Sequence, residues 1–396
     1  MPGPVDVSHP GIYVEEIASG AKSITGVATS ICAFVGYAVT GPAEPLDCFS
    51  QADFVRVFGG RASGYPLGDA VEDFFRNGGS HAVIVRVPEP GTAAGRAANL
   101  LGDPLQQTGI YALDSIDLFN LLCIPRDPAD ACDDELQPLY QAAAAYCHKR
   151  RAMLIPDPPA VWSDHARQGR FDLIRPADLG IDVPEPAARN CIAYFPRIKK
   201  LKPASDQTGV FAACGAIAGI IARTDAARGV WKAPAGIEAG IEGITGLEFD
   251  LTDEQNGRLN PLGINCLRQF PGVGPVLWGA RTLRGADVLS DAYKYVPVRR
   301  LALFIEESIS RGIRFALFEP NDEILWSKLR RIVVDFMDYL LRQGASYGHH
   351  VSCDRTTMSQ DDIDRGIVNI YVGFAPLKPA EFVVLRFQQQ AGQARL

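Results

Sequence analysis

RRLALFIEESISRGIRFALFEPND occupies Arg299 to Asp322, followed by a charged helical pattern, by VSCDRTTMSQDDIDRG from Val351 to Gly366, and by APLKPAEFVVLRF ending at Phe387. Apolar residues at helical spacing predict a helix over Leu301–Arg311 that Gly312 ends, since glycine readily takes the left-handed conformation at a helix C-terminus. Ile313–Phe318 reads as a strand and Asn321 as the N-cap of a second helix reaching Gly344. Ile367–Phe374 reads as a strand, Pro376–Pro379 as a loop, and Phe382–Phe387 as a last strand. FVVLRF is apolar on both faces save for Arg386. Such a strand needs a sheet to enter, and little chain lies behind it to supply one.

The second helix places Leu325, Leu329, Ile332, Phe336 and Leu340 on one core-facing stripe. Asp322 and Glu323 at its start and Arg342 at its end suit the helix dipole. Lys328, Arg330 and Arg331 crowd the middle with no acidic residue four positions earlier. They form either a solvated charged face or a basic surface for an acidic neighbour.

Upstream, an apolar strand from Asp117 to Ile124, an alanine-rich helix from Asp133 to Arg151, the strand AMLI, then NCIAYF and a helix over Thr208–Ala227 alternate in the manner of βαβ units on a parallel sheet. Thr252 with Gln255 forms a capping box, and strands are expected near Ile264–Leu267 and Val276–Thr282. The N-terminal region offers a short strand at Ile12–Ile17 and ICAFVGY at Ile31–Tyr37, apolar enough to be buried on both faces. A helix capped by Ser50, a helix from Pro66 closed by Gly78, and the strand AVIVRV complete a mixed α+β region. Pro88–Gly109, rich in Pro, Gly and Ala, reads as a linker or surface excursion.

At 396 residues the chain exceeds the usual size of one domain, so two or three modules are expected. Its 47% hydrophobic and 21% charged content excludes disordered and fibrous classes. The net charge of −7, without any long lysine and arginine run, argues against nucleic acid. The longest apolar stretch, Val210–Ala222, is too short to span a hydrocarbon core that needs ~20 residues, so no direct membrane insertion is expected. MPGPVDVSHPG lacks the basic and apolar regions of a signal peptide, which implies cytoplasmic synthesis and assembly. Cys32, Cys48, Cys123, Cys132, Cys147, Cys191, Cys214, Cys266 and Cys353 show no CxxC pair or repeated spacing and read as small buried hydrophobes.

Chemistry-bearing motifs are sparse. The IPDPP turn after Ile155 falls at a strand C-terminal end, where α/β enzymes place active sites, yet it brings one carboxylate, Asp157, and no nearby base or nucleophile. A proline-stiffened loop is the simpler reading. His349, His350, Cys353 and Asp354 are metal-ligand types, but without a second cluster at workable spacing no metal is expected. PGVGPVLWG at Pro271–Gly279 lacks a phosphate-loop lysine and precedes a strand. No catalytic residue or cofactor is expected.

Taken in order, PGIYVEEI (Pro10–Ile17), VFGG (Val57–Gly60), NGGSHAVIVRV (Asn77–Val87), DLFNLLCIP from Asp117, RGVWKAPAG from Arg228, NPLGINCLRQFP with WGARTLRGAD between Asn260 and Asp287, and the C-terminal strings resemble contractile tail sheath proteins of phages and related injection particles. The resemblance implies a non-enzymatic subunit that polymerises as a helical sleeve around an inner tube and contracts. Its fold would be α+β and α/β: a central α/β domain, a mixed α+β core from the N- and C-terminal regions, and extended terminal arms. The expected division is an N-terminal arm over 1–20, an α+β region over 21–110, a central α/β domain over 111–285, a C-terminal core domain over 286–378, and a C-terminal arm over 379–396. Terminal strands at Ile12, Tyr13, Val14, Glu15 and Glu16, and at Phe382, Val383, Val384, Leu385 and Phe387, would be donated to neighbours' sheets. The helix carrying Lys328, Arg330 and Arg331 would face the tube. Implied partners are other sheath subunits, the inner tube protein, baseplate and terminal cap proteins; the particle would be a phage tail or a phage-tail-like device that can be released outside the cell. Sheath proteins carry a longer loop between the long helix and CDRTT, which leaves the helix-to-strand geometry here open. The rival classes are an α/β enzyme with an appended assembly domain, supported by the central βαβ alternation, and a closed-shell protein such as a capsid subunit.

Overall fold

A computed structural model of the chain describes residues 23–87, 93–126 and 133–381. Its first strand, β1 (Cys32–Gly36), is followed by β2 (Leu46–Cys48), α1 (Gln51–Phe58), α2 (Pro66–Arg76), β3 (Ala82–Arg86), α3 (Ala93–Leu101), β4 (Leu121–Cys123), α4 (Asp133–Arg150) and β5 (Met153–Ile155). These strands form one sheet in the order β2-β3-β1-β4-β5, parallel except for β2. Parallel strands need covered faces, and side-chain alternation supplies both. Cys32, Phe34, Ile84, Leu121 and Met153 face a core shared with α2, while Ala33, Val35, Val85, Leu122 and Leu154 face one shared with α4. The sheet crosses residue 110, so strands from the 21–110 and 111–285 regions share their cores. Part of the expected Pro88–Gly109 linker is instead the helix α3.

The chain continues through α5 (Ala160–Arg167), β6 (Ala193–Phe195), β7 (Ile198–Leu201), β8 (Thr208–Phe211), α6 (Cys214–Arg228), β9 (Gly246–Leu247), α7 (Asp253–Leu259), β10 (Ile264–Phe270) and β11 (Gly274–Trp278). A parallel bridge between Leu154 and Cys191 extends the main sheet toward the three-stranded array β11-β10-β6. α6 lies beside α2 on the same face, and the approach is backbone to backbone: a Cβ on Gly215 would overlap the Ala70 carbonyl, and one on Gly219 would crowd the Phe74 carbonyl. Thr252 caps α7 with Gln255 as the spacing predicts. The helix expected from Thr208 starts later, because Thr208–Phe211 pairs with β7.

The last module consists of α8 (Val296–Gly312), α9 (Glu323–Arg342), β12 (Ser346–Ser352), α10 (Gln360–Asp364) and β13 (Tyr371–Pro376). All five predicted stripe residues of α9 are buried, joined by Trp326, Val333 and Met337. Asp322 rather than Asn321 caps the helix, accepting from Leu325 N–H at 2.9 Å. Asn321 instead accepts from the Trp326 indole at 2.7 Å. The strand expected at Ile313–Phe318 is a helical turn over Arg314–Ala316. Ile313 and Phe315 pack into the cluster between the helices, so their apolar spacing serves a helix-to-helix corner. Phe318 is wholly exposed with φ +67. β12 and β13 form an antiparallel two-stranded sheet whose Val351, Val372 and Phe374 pack toward α8 and α9. No described helix is long and apolar enough to cross a membrane.

Candidate functional site

The strand ends where an α/β enzyme would place its chemistry are occupied by structural contacts. Asp157, 2% exposed beyond β5, accepts from the backbone N–H groups of Ala213 and Cys214 at 3.2 and 3.1 Å and from that of Arg126 at 3.4 Å. It thus caps α6 from another element, giving first-turn donors the acceptor they lack. Burial raises its carboxyl above the usual range, against the pull of those bonds. Nearby, a cleft of about 790 Å³ gathers Arg126, Lys199 and Lys202 with one carboxylate, Asp69. Asp69 is paired with Arg61 and Lys200. Lys200 also reaches the buried Asp73 at 2.7 Å; burial pushes that carboxyl up to about 7 in spite of the lysine.

The HHVSCD segment is strand β12 and its exit. His349 sits largely buried with Nε2 3.5 Å from Asp338 Oδ1, while His350 lies on the opposite, exposed face with Nε2 2.6 Å from Ser352 Oγ. Asp354 turns toward Thr356, whose hydroxyl and N–H hold its carboxyl below the usual range. Among the described residues no three His, Cys, Asp or Glu side chains gather where a metal could sit. All eight described cysteines are buried and unbridged, and burial pushes up the Cys48 and Cys353 thiols to about 11.

What remains is a set of surfaces. β12 and β13 pair only with each other among the described residues, so each presents an open edge. The two ends of the described chain are each tied to the body. Ile24 packs against α8, where it fills the space a Cβ on Gly312 would need, and Val27 N–H donates to Ser308 Oγ at 3.1 Å. Glu381 is gripped by Arg281 through Nε at 2.7 Å and Nη2 at 2.6 Å, with the Tyr295 hydroxyl 3.2 Å away. Ile12, Tyr13, Val14, Glu15 and Glu16, and Phe382, Val383, Val384, Leu385 and Phe387, lie outside the described residues.

Two family models match consecutive stretches of the chain: the phage tail sheath protein central domain over residues 110–283 and the phage tail sheath C-terminal domain over residues 290–390. The chain belongs to the phage tail sheath family. Among curated sheath relatives, the tail sheath protein of Vibrio phage KVP40 is 34% identical over 176 residues, covering 44% of this chain. The match spans 26% of that relative's own length. Solved sheath structures align far more completely. The helical sheath of the anti-feeding prophage in its contracted state gives a TM-score of 0.75 at 28% identity, covering 97% of this chain and 100% of that one. The contracted sheath complex of PVC, an extracellular contractile injection system, gives 0.70 at 26% identity over 98% and 99%. The sheath fold is therefore the multi-domain mixture of α/β and α+β parts that the sequence implied.

On the long helix α9, Lys328, Arg330 and Arg331 are all exposed. They differ in engagement. Arg330 lies 3.4 Å from Asp354, Lys328 sits 5.0 Å above the Phe315 ring, and Arg331 has no ion pair among the described residues. Sequence reasoning missed Arg281 and Tyr295 as holders of the C-terminal arm. The signal was thin: a lone glutamate before an apolar run, with its partner a hundred positions away.

Proposed function

We propose that this chain is the repeating structural subunit of a contractile sheath, polymerising as a helical sleeve around an inner tube by donating terminal strands to its neighbours. The observation that carries the reading is the β12–β13 sheet, both of whose edges are open among the described residues, while the two ends of the described chain are tied down at α8 and at Arg281. An open edge is a template for added strands, and main-chain hydrogen bonds supply affinity there. Because the donor and acceptor surfaces differ, such contacts propagate as an open helix. The proposed units of assembly are the arms at 1–20 and 379–396, the 21–110 and 111–285 regions that share one sheet, and the core domain at 286–378.

Contraction on this reading needs no fuel at firing. An extended lattice held short of its best packing releases energy when α/β bodies close on one another; a gain of ~1 kcal/mol per subunit, a modest packing term, adds up over a long polymer. The subunit is mechanical rather than enzymatic and takes no cofactor. Its partners are other sheath subunits, an acidic tube surface met by Lys328, Arg330 and Arg331, and baseplate and terminal cap proteins. Neither nucleic acid nor membrane is contacted directly. Assembly takes place in the cytoplasm, in a phage tail or a particle released outside the cell.

The test is deletion of Met1–Ile17 or of Phe382–Leu396, scored by negative-stain electron microscopy. Each deletion is expected to leave soluble monomers or short oligomers. Full-length tubes from either would sink the strand-donation reading.

A further inference from the structure

Arg281 is 1% exposed, and every part of it is held. Its backbone N–H donates to Asn265 Oδ1 at 2.7 Å and its carbonyl accepts from Asn265 Nδ2 at 2.8 Å. Nη1 donates to the Asn260 carbonyl at 2.9 Å and to Asp287 Oδ1 at 3.0 Å. That leaves Nε and Nη2 as a fork aimed outward, and Glu381 fills it with both carboxylate oxygens. Lys294 pairs with Asp287 at 2.7 Å, so two cations and two anions balance. Bidentate guanidinium–carboxylate pairs fix direction as well as distance. A donor whose own contacts are locked is a preorganised socket.

The position of Glu381 gives the socket its meaning. It stands directly before FVVLRF, and the tether from β13 to it is only Leu377–Ala380. Strand register is normally set by one apolar and one polar face, because a slip by one residue exchanges the faces. FVVLRF is apolar on both save for Arg386 near its end, so its pattern chooses only weakly between neighbouring registers. We propose that the Arg281–Glu381 pair sets the register of the C-terminal arm, fixing which side chains of Phe382–Phe387 face the sheet that receives them. The inference rests on the strand-donation reading above.

Two single-residue insertions separate register from length in the full chain. An alanine inserted between Pro379 and Ala380 lengthens the tether but leaves the arm's phase relative to Glu381 unchanged. An alanine between Glu381 and Phe382 adds the same length and inverts the phase. Polymerised fraction is measured by sedimentation and tube length by electron microscopy, with thermal unfolding of each variant showing that the body is intact. The tether insertion is expected to stay within about twofold of the parent, and the arm insertion to lose at least about tenfold. In a Glu381→Gln background, which weakens the grip without changing shape, the two insertions should converge. Equal behaviour of the two in the parent overturns the register role. Equal loss from both, with the Phe382–Leu396 deletion also failing to build tubes, overturns the register role alone. Normal tubes from the deletion and from both insertions overturn strand donation as well.

Discussion

Arg300 closes a bidentate ion pair on Asp225, with Nη1 2.7 Å from Oδ1, Nη2 2.6 Å from Oδ2, and both side chains almost wholly buried. The pair joins α8 to α6. Thr29 completes it, its hydroxyl donating to Asp225 and its carbonyl accepting from Arg300. The dipeptide that opens RRLALF therefore docks the C-terminal module onto the central body: Arg299, beside Arg300, is also buried and donates to Asn190.

Removing one partner of such a pair leaves an uncompensated buried charge. Asp225→Ala should cost about 3–5 kcal/mol in denaturant unfolding, whereas Arg300→Met combined with Asp225→Leu should recover most of that loss. A double variant as unstable as the single one would show that the site depends on its charges for more than filling space.

Asp157 gives a second outcome. As the cap of α6 it should be worth about 1–3 kcal/mol, so Asp157→Ala should lower the unfolding midpoint, and Asp157→Asn, which keeps an acceptor, should lower it less. An assembly-competent Asp157→Asn subunit is expected. Stability unchanged in the alanine variant would remove the capping role.

Asp73 sets a pH dependence with a definite sign. Its folded-state carboxyl lies near 7, above the usual range, because burial outweighs the pull of Lys200. Between the unfolded value near 4 and about 7 the folded chain holds the extra proton, so this group's contribution to stability falls as pH rises through that window. The slope is at most one proton, about 1.4 kcal/mol per pH unit. Asp73→Asn should flatten the melting temperature between pH 4 and 7. The same slope in both proteins would assign it elsewhere.

Charge reversal on α9 separates the basic residues by their engagement. Lys328→Glu with Arg331→Glu should weaken co-sedimentation with purified tube and blunt its salt sensitivity, since exposed charges act over a Debye length of ~8 Å at physiological salt. Arg330→Glu alone should do less, because Arg330 already lies near Asp354. Unchanged binding across the salt series would return all three to a solvated face.

Periodicity carried most of the fold. The parallel strands, α2, the body of α9 and the capping box at Thr252 stand close to where local pattern placed them, although β4 keeps only Leu121–Cys123 of the expected Asp117–Ile124, because each is decided mainly by residues close in sequence. Ile313–Phe318 misled for a definable reason: alternating apolar residues suit a strand and a tight corner between two packed helices equally. α3 was hidden because a composition rich in Gly, Pro and Ala resembles a linker. Surface and burial were the least legible. His349 and His350 are adjacent and chemically alike, yet one packs beside Asp338 and the other is exposed. His350→Ala should therefore cost within about 0.5 kcal/mol and His349→Ala more. Arg281 with Glu381 shows the same limit, since a contact across a hundred residues leaves no periodic trace.

Gly215 and Gly219 bring α6 onto the backbone of α2 at the Ala70 and Phe74 carbonyls, so at these two points the contact is carbonyl against Cα. At these two points the helices meet without a soft layer, so a displacement of one is expected to carry the other with it. Substituting either glycine with alanine would prise the two helices apart, since a methyl group there has no room against the facing carbonyl.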